Sequence, residues 1–171
     1  RVLRELLSLE SLGLTDPWLE SAEPGPLAGP VRAHQYLGAI DTYAFDPSMD
    51  LFGGGGLVST LEDMGTFFRA LFSGGVFRDP DTVSRMVAIT PASLSADEGG
   101  YGMGIARARY AGIDCVGHGG YWGTLIRYCP EGDLLVTGAA TSTRGRDMLD
   151  GVVGQSLLLL LGREATSAAG L

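Results

Sequence analysis

Apolar positions along this chain change rhythm twice. Residues 1–10 place apolar side chains at helical spacing, with Gly13 positioned to end the turn that follows. From Thr15 to Gly56 the periodicity fades and prolines recur at 17, 24, 26, 30 and 47, which predicts a long, loop-rich excursion. The run Gly53–Gly56 then leads into Leu57-Val58-Ser59-Thr60. Ser59 with Glu62 three residues on fits a capping box, predicting a helix over Thr60–Phe72. Leu61, Met64, Phe67, Phe68 and Leu71 form its apolar stripe, and Ser73-Gly74-Gly75 stops it. A shorter helix is expected over Asp81–Ile89, between Pro80 and Pro91.

After residue 100 the period shortens to two. Tyr101–Tyr110, Ile113–Gly119, Thr124–Cys129 and Leu134–Ala140 read as successive strands with short connections, and Pro130-Glu131-Gly132-Asp133 is a clear turn. Asp147–Leu161 reads as an apolar helix suited to lie across the resulting sheet. A helical and loop-rich segment over 1–100, followed by an antiparallel meander and a covering helix over 101–171, is an α+β arrangement. No internal repeat is evident.

A chain of 171 residues can bury roughly 70% of its unfolded surface, enough for one core. The net charge of −8 argues against a nucleic-acid partner, which requires a basic face. All twelve basic residues are arginine, and the chain has neither lysine nor asparagine, a bias that fits GC-rich coding. The Leu157–Leu161 run is too short to span a bilayer. No signal peptide opens the chain, and Arg1–Leu7 reads as the middle of a helix, so the compartment is left open. Cys115 and Cys129 lack CxxC spacing, and with two histidines they make no zinc set. They fall on the two arms of a hairpin centred near Trp122, where they could lie across from each other; two buried free thiols are the expectation.

The densest candidate chemistry lies in Gly117-His118-Gly119-Gly120-Tyr121-Trp122-Gly123. Glycines at a strand end let a second backbone or a substrate lie close, and one histidine sits at the lip of that surface. A plain polar residue at a hairpin end is the simpler alternative. Ser59 is better placed to cap a helix than to act as a nucleophile. His34, with Arg32 nearby in the long loop, reads as a solvated loop histidine.

The order of Leu12-Gly13-Leu14-Thr15-Asp16, then Gly54-Gly55-Gly56-Leu57-Val58-Ser59-Thr60-Leu61-Glu62-Asp63-Met64, then Tyr101-Gly102-Met103-Gly104, then Gly117-His118-Gly119-Gly120 resembles the serine β-lactamase-like superfamily. Within it, the resemblance is to the branch of class C β-lactamases, D-Ala-D-Ala carboxypeptidases and esterases. It spans the whole chain but only about the C-terminal half of a complete member, so it implies a single partial domain whose N-terminal catalytic half lies outside. That family works through three motifs: Ser-x-x-Lys, a Tyr-x-Asn variant, and Lys-Thr-Gly or His-x-Gly on the strand bordering the cleft. Only the third matches, as His118-Gly119-Gly120. Ser-x-x-Lys is impossible without lysine, and none of the six tyrosines has Asn or Ser two residues on.

The resemblance implies that Gly119 and Gly120 form a substrate-binding edge and that the Tyr121 backbone N–H is the second oxyanion donor. His118 is expected to hydrogen-bond the second-motif residue or an anionic substrate group. It implies acyl transfer on a D-amino-acid peptide, a β-lactam or a small ester, with no metal and no cofactor. A missing sheet neighbour implies self-association or a companion N-terminal segment. The rival is a non-catalytic binding or assembly module on the same fold; a second is an unrelated α+β domain with no cleft at His118.

Overall fold

The computed structural model describes residues 2–25, 32–51, 54–93 and 99–162. Helix α1 (Val2–Leu6) is shorter than expected because Ser8 adopts a positive φ of 56° and turns the chain. The loop-rich region is less irregular than its composition suggests. Strand β1 (Trp18–Leu19) pairs antiparallel with β4 (Leu57–Val58), and β2 (Tyr36–Leu37) pairs with β3 (Ile40–Asp41). Two-residue ladders are too short to register as period-two alternation.

Helix α2 (Leu61–Phe72) is capped one residue later than expected. Thr60 Oγ1 accepts from Asp63 N at 3.0 Å, while Ser59 Oγ donates to the Thr60 carbonyl. Of its apolar stripe only Leu71 is buried; Met64, Phe67 and Phe68 are half-buried and Leu61 is exposed. Helix α3 (Thr82–Val87) follows, within the expected span.

Four strands then form one antiparallel sheet in chain order: β5 (Ala106–Tyr110), β6 (Ile113–Gly119), β7 (Thr124–Cys129) and β8 (Leu134–Ala139). The Tyr101 backbone pairs with this sheet as an isolated bridge to Ala106, so the first strand is shorter than its sequence pattern. Helix α4 (Thr143–Leu160) closes the chain. It starts four residues before the expected Asp147 because Ser142 caps it, accepting from Gly145 N at 3.1 Å.

Alternation along the strands sorts residues onto two faces. One face carries Ile113, Cys115, Leu125 and Cys129 against Val153, Leu157 and Leu158 of α4, and this is the core. Burying each large aliphatic side chain there contributes about 1.5–3 kcal/mol. Arg127, also on this face, is nearly buried and ties three elements together: it donates to the Tyr110 hydroxyl (2.7 Å) and to Asp150 (2.8 Å), and Tyr110 donates to Asp150 (2.7 Å). The opposite face takes α2 over β8, with Phe72 stacked on Tyr128 at 4.7 Å.

The cysteines differ from the expectation of two free thiols. Val116 pairs with Tyr128, so the next positions outward, Cys115 and Cys129, stand directly opposite and both point inward. They form a disulfide, with Cα atoms 4.2 Å apart.

Candidate functional site

Alternation along β6 places His118 on the face away from α4, at the strand's exposed end. Both ring nitrogens are engaged. Nδ1 lies 2.6 Å from the Gly119 carbonyl and Nε2 lies 2.8 Å from the Tyr101 hydroxyl. Tyr101 is an addition from the structure: sequence spacing gives no sign that a residue seventeen positions away returns to the histidine. Its ring meets the imidazole edge-on, with centroids 5.6 Å apart.

Beyond His118 the chain turns through Gly120–Gly123. Gly120 N donates to Thr124 O (2.8 Å) and Gly123 N to Gly120 O (3.0 Å), so the turn's own hydrogen bonds use the amides on either side of Tyr121 and Trp122. Gly123 sits at φ +88°, and a Cβ there would come within 2.2 Å of the Ala140 carbonyl, so this corner requires glycine. The Tyr121 ring is exposed, with the Arg146 guanidinium 5.4 Å above it, and Arg146 also donates to the Tyr121 carbonyl. The Gln35 side chain donates to the Trp122 carbonyl, which ties the β2 region to the turn.

A cleft of about 910 Å³ opens here, lined among others by Tyr101, His118, Gly119, Gly120, Thr124 and Arg146. His118, Gly119 and Gly120 all line it, and the lining wraps the sheet: His118 and Asp114 come from the face away from α4, Tyr110, Leu149 and Asp150 from the α4 side. Along the same cleft, Arg109 and Arg107 clamp Asp114 at 2.7–3.0 Å and hold its carboxyl well below the usual carboxylate range.

The glycines divide by purpose. At Gly117 a Cβ would lie 1.9 Å from the Ile126 carbonyl oxygen, so close strand packing demands glycine. At Gly120 a Cβ would meet Thr124 Oγ1 at 2.4 Å, within its own hairpin. At Gly119 the nearest atom would be Leu125 Cδ1 at 3.4 Å, an ordinary contact. The internal turn therefore accounts for part of the glycine content at this edge.

The loop histidine has its own partners. His34 Nδ1 is 2.7 Å from Asp41 Oδ2, and its ring stacks on Tyr43 at 4.1 Å beside Arg32. The hydrogen bond from Tyr43 N, then that from His34, lowers the Asp41 pKa. Among the described residues no group of three His, Cys, Asp or Glu side chains could hold a metal ion, and no helix is long and apolar enough to cross a membrane.

The chain's residues 5–155 match the beta-lactamase family model. No curated protein sequence matches it. Solved structures of the D-amino acid amidase from Ochrobactrum anthropi SV3 share its fold. The complex with L-phenylalanine aligns at TM-score 0.70 and 21% identity over 95% of this chain and 53% of the amidase. The complex with D-phenylalanine gives 0.66 and 22% over 88% and 51%. The complex with L-phenylalanine amide gives 0.66 and 23% over 94% and 50%. The chain thus spans about half the length of these structural relatives.

Proposed function

This chain belongs to the beta-lactamase family, and from that premise we propose that it forms the substrate-facing portion of a serine-dependent acyl hydrolase. In this reading the nucleophilic serine and its lysine lie outside these residues. The serine hydroxyl adds to the substrate carbonyl, the amine or alcohol leaves with a proton, and water then cleaves the ester to release the acid. The chain's contribution is the edge at His118-Gly119-Gly120, with the Tyr121 N–H as second oxyanion donor.

The observation that carries the reading is the cleft, in which His118 and the Gly119-Gly120 edge lie together at the free end of β6. The absence of lysine supports a nucleophile elsewhere, since a Ser-x-x-Lys pair cannot be built from this sequence. The substrate class is a D-amino-acid peptide or amide, a β-lactam or a small ester. The amide joins this set through the fold shared with the D-amino acid amidase.

The test is His118→Gln in the complete protein, assayed on all three substrate types. A fall in kcat/KM of roughly 10²-fold, the scale for misplacing a positioning group in the site, with the melting temperature retained is expected. A folded variant that turns over substrate at the parent rate would remove His118 from the site.

A further inference from the structure

A carbonyl oxygen can only accept, so His118 Nδ1, 2.6 Å from Gly119 O, carries a hydrogen and donates it. In the neutral ring Nε2 is then the acceptor, and the Tyr101 hydroxyl 2.8 Å away is its donor. That is the reverse of the tautomer a free imidazole prefers, which carries its hydrogen on Nε2. We propose that Tyr101 is the positioning residue of the cleft histidine: its hydroxyl donates to Nε2 of the Nδ1–H form that the Gly119 carbonyl requires, and it stands between the imidazole and any incoming ligand.

Its functional meaning rests on His118 belonging to the substrate edge; the tautomer itself does not.

The Tyr101 backbone is fixed from both sides, which makes the phenol a pre-set partner. Arg107 N donates to Gly100 O (2.9 Å) and Gly102 N to Ile105 O (2.8 Å), while Met103 N donates to Met86 O (2.8 Å) at the end of α3. The first two of these bonds are the ones that make the Tyr101–Ala106 bridge. Gly99 and Gly100, at φ +73° and +102°, make the turn that brings the ring over β6. With both imidazole nitrogens bound inside the chain, a ligand meets the Tyr101 oxygen, which keeps a lone pair free to accept from an N–H donor. An anionic group could reach Nε2 only by displacing Tyr101.

The chain has only two histidines, so long-range 1H–15N correlation spectra of the 15N-labelled protein resolve the ring nitrogens directly. His118→Gln identifies the His118 signals. In the neutral ring, a pyrrole-like Nδ1 and a lone-pair-bearing Nε2 are expected for His118. In Tyr101→Phe the Nδ1–H form should persist on the Gly119 carbonyl while the Nε2 signal moves to the position of a free lone pair, with the β6 and β7 backbone amide signals in place. An Nε2–H majority in the parent protein would overturn the proposal. So would an Nε2 signal unchanged in Tyr101→Phe, because the phenol would then not be its donor. Should that variant fail to fold, the His118 Nε2 shift in the parent protein decides: displacement from the free lone-pair position supports the phenol donor, and a shift at that position refutes it. These readouts do not depend on activity, so they can fail separately from the hydrolase reading.

Discussion

Cys115 and Cys129 face each other across β6 and β7 and close a disulfide three positions from His118, inside the core beneath α4. The bond staples the hairpin whose far end carries the cleft. Its loop of sequence separation 14 corresponds to about 3 kcal/mol in the chain-entropy picture. At roughly 2–4 °C per kcal/mol, replacing both cysteines by alanine should lower the melting temperature by roughly 6–12 °C. Thiol titration of the unfolded parent protein should find no free thiol before reduction and two after it. Two free thiols without reductant would remove the staple.

Gly117 and Gly119 lie two residues apart on one strand but face different demands. Gly117→Ala drives a methyl group into the Ile126 carbonyl and should cost more than about 2 kcal/mol, within the range for overpacked cores. Gly119→Ala meets only Leu125 Cδ1 and should stay within about 0.5 kcal/mol. Paired denaturant titrations decide it; equal losses would mean that the hairpin packs differently.

Burial, reinforced by its hydrogen bond to Asp150, pushes the Tyr110 hydroxyl up to about 12. An ordinary tyrosine ionises near 10, so the pKa is raised by folding. Below pH 10 the contribution is fully present, and it is lost as pH rises from 10 through 12. Tyr110 should therefore be the last phenol to ionise in an ultraviolet titration, and Tyr110→Phe should blunt the alkaline loss of stability. Ionisation of all six tyrosines near pH 10 in the folded protein would contradict the buried network.

Strand β8 ends the four-stranded sheet, and Leu134–Ala139 carries no charge or proline to guard an edge. Unpaired edges recruit further strands. Sedimentation at micromolar concentration should show association of this chain with itself or with a companion N-terminal segment. A stable monomer with β8 exposed would mean that the edge is protected.

Much of this architecture can be read from the chain. The bounds of β6 and β7 coincide with those expected; β6 alternates because one face packs on α4, whereas β7 is buried on both faces at Leu125 and Ile126. The start of α2 is displaced by one residue because Ser59 and Thr60 are both competent caps and only the backbone geometry chooses. The disulfide depended on hairpin register: a centre near Trp122 puts Cys115 opposite Cys129, yet the burial habit of free cysteine pointed the other way. The proposed site rests on His118, Gly119 and Gly120, whose types and order carry the motif in the sequence. Tyr101 was not, because its approach to His118 depends on the positive-φ turn at Gly99-Gly100 and on the docking of Met103 against α3. These are tertiary events without a local period.

Treating the complete protein with a fluorophosphonate and mapping the adduct by peptide mass spectrometry tests the proposed division of labour most directly. The expected result is one adduct, on the serine of a Ser-x-x-Lys sequence outside these residues, and none when this chain is treated alone. Removing one member of such a catalytic unit costs several orders of magnitude, so the isolated chain should stay unlabelled over the same interval. Stoichiometric labelling of a serine within this chain, Ser59 above all, would contradict the account.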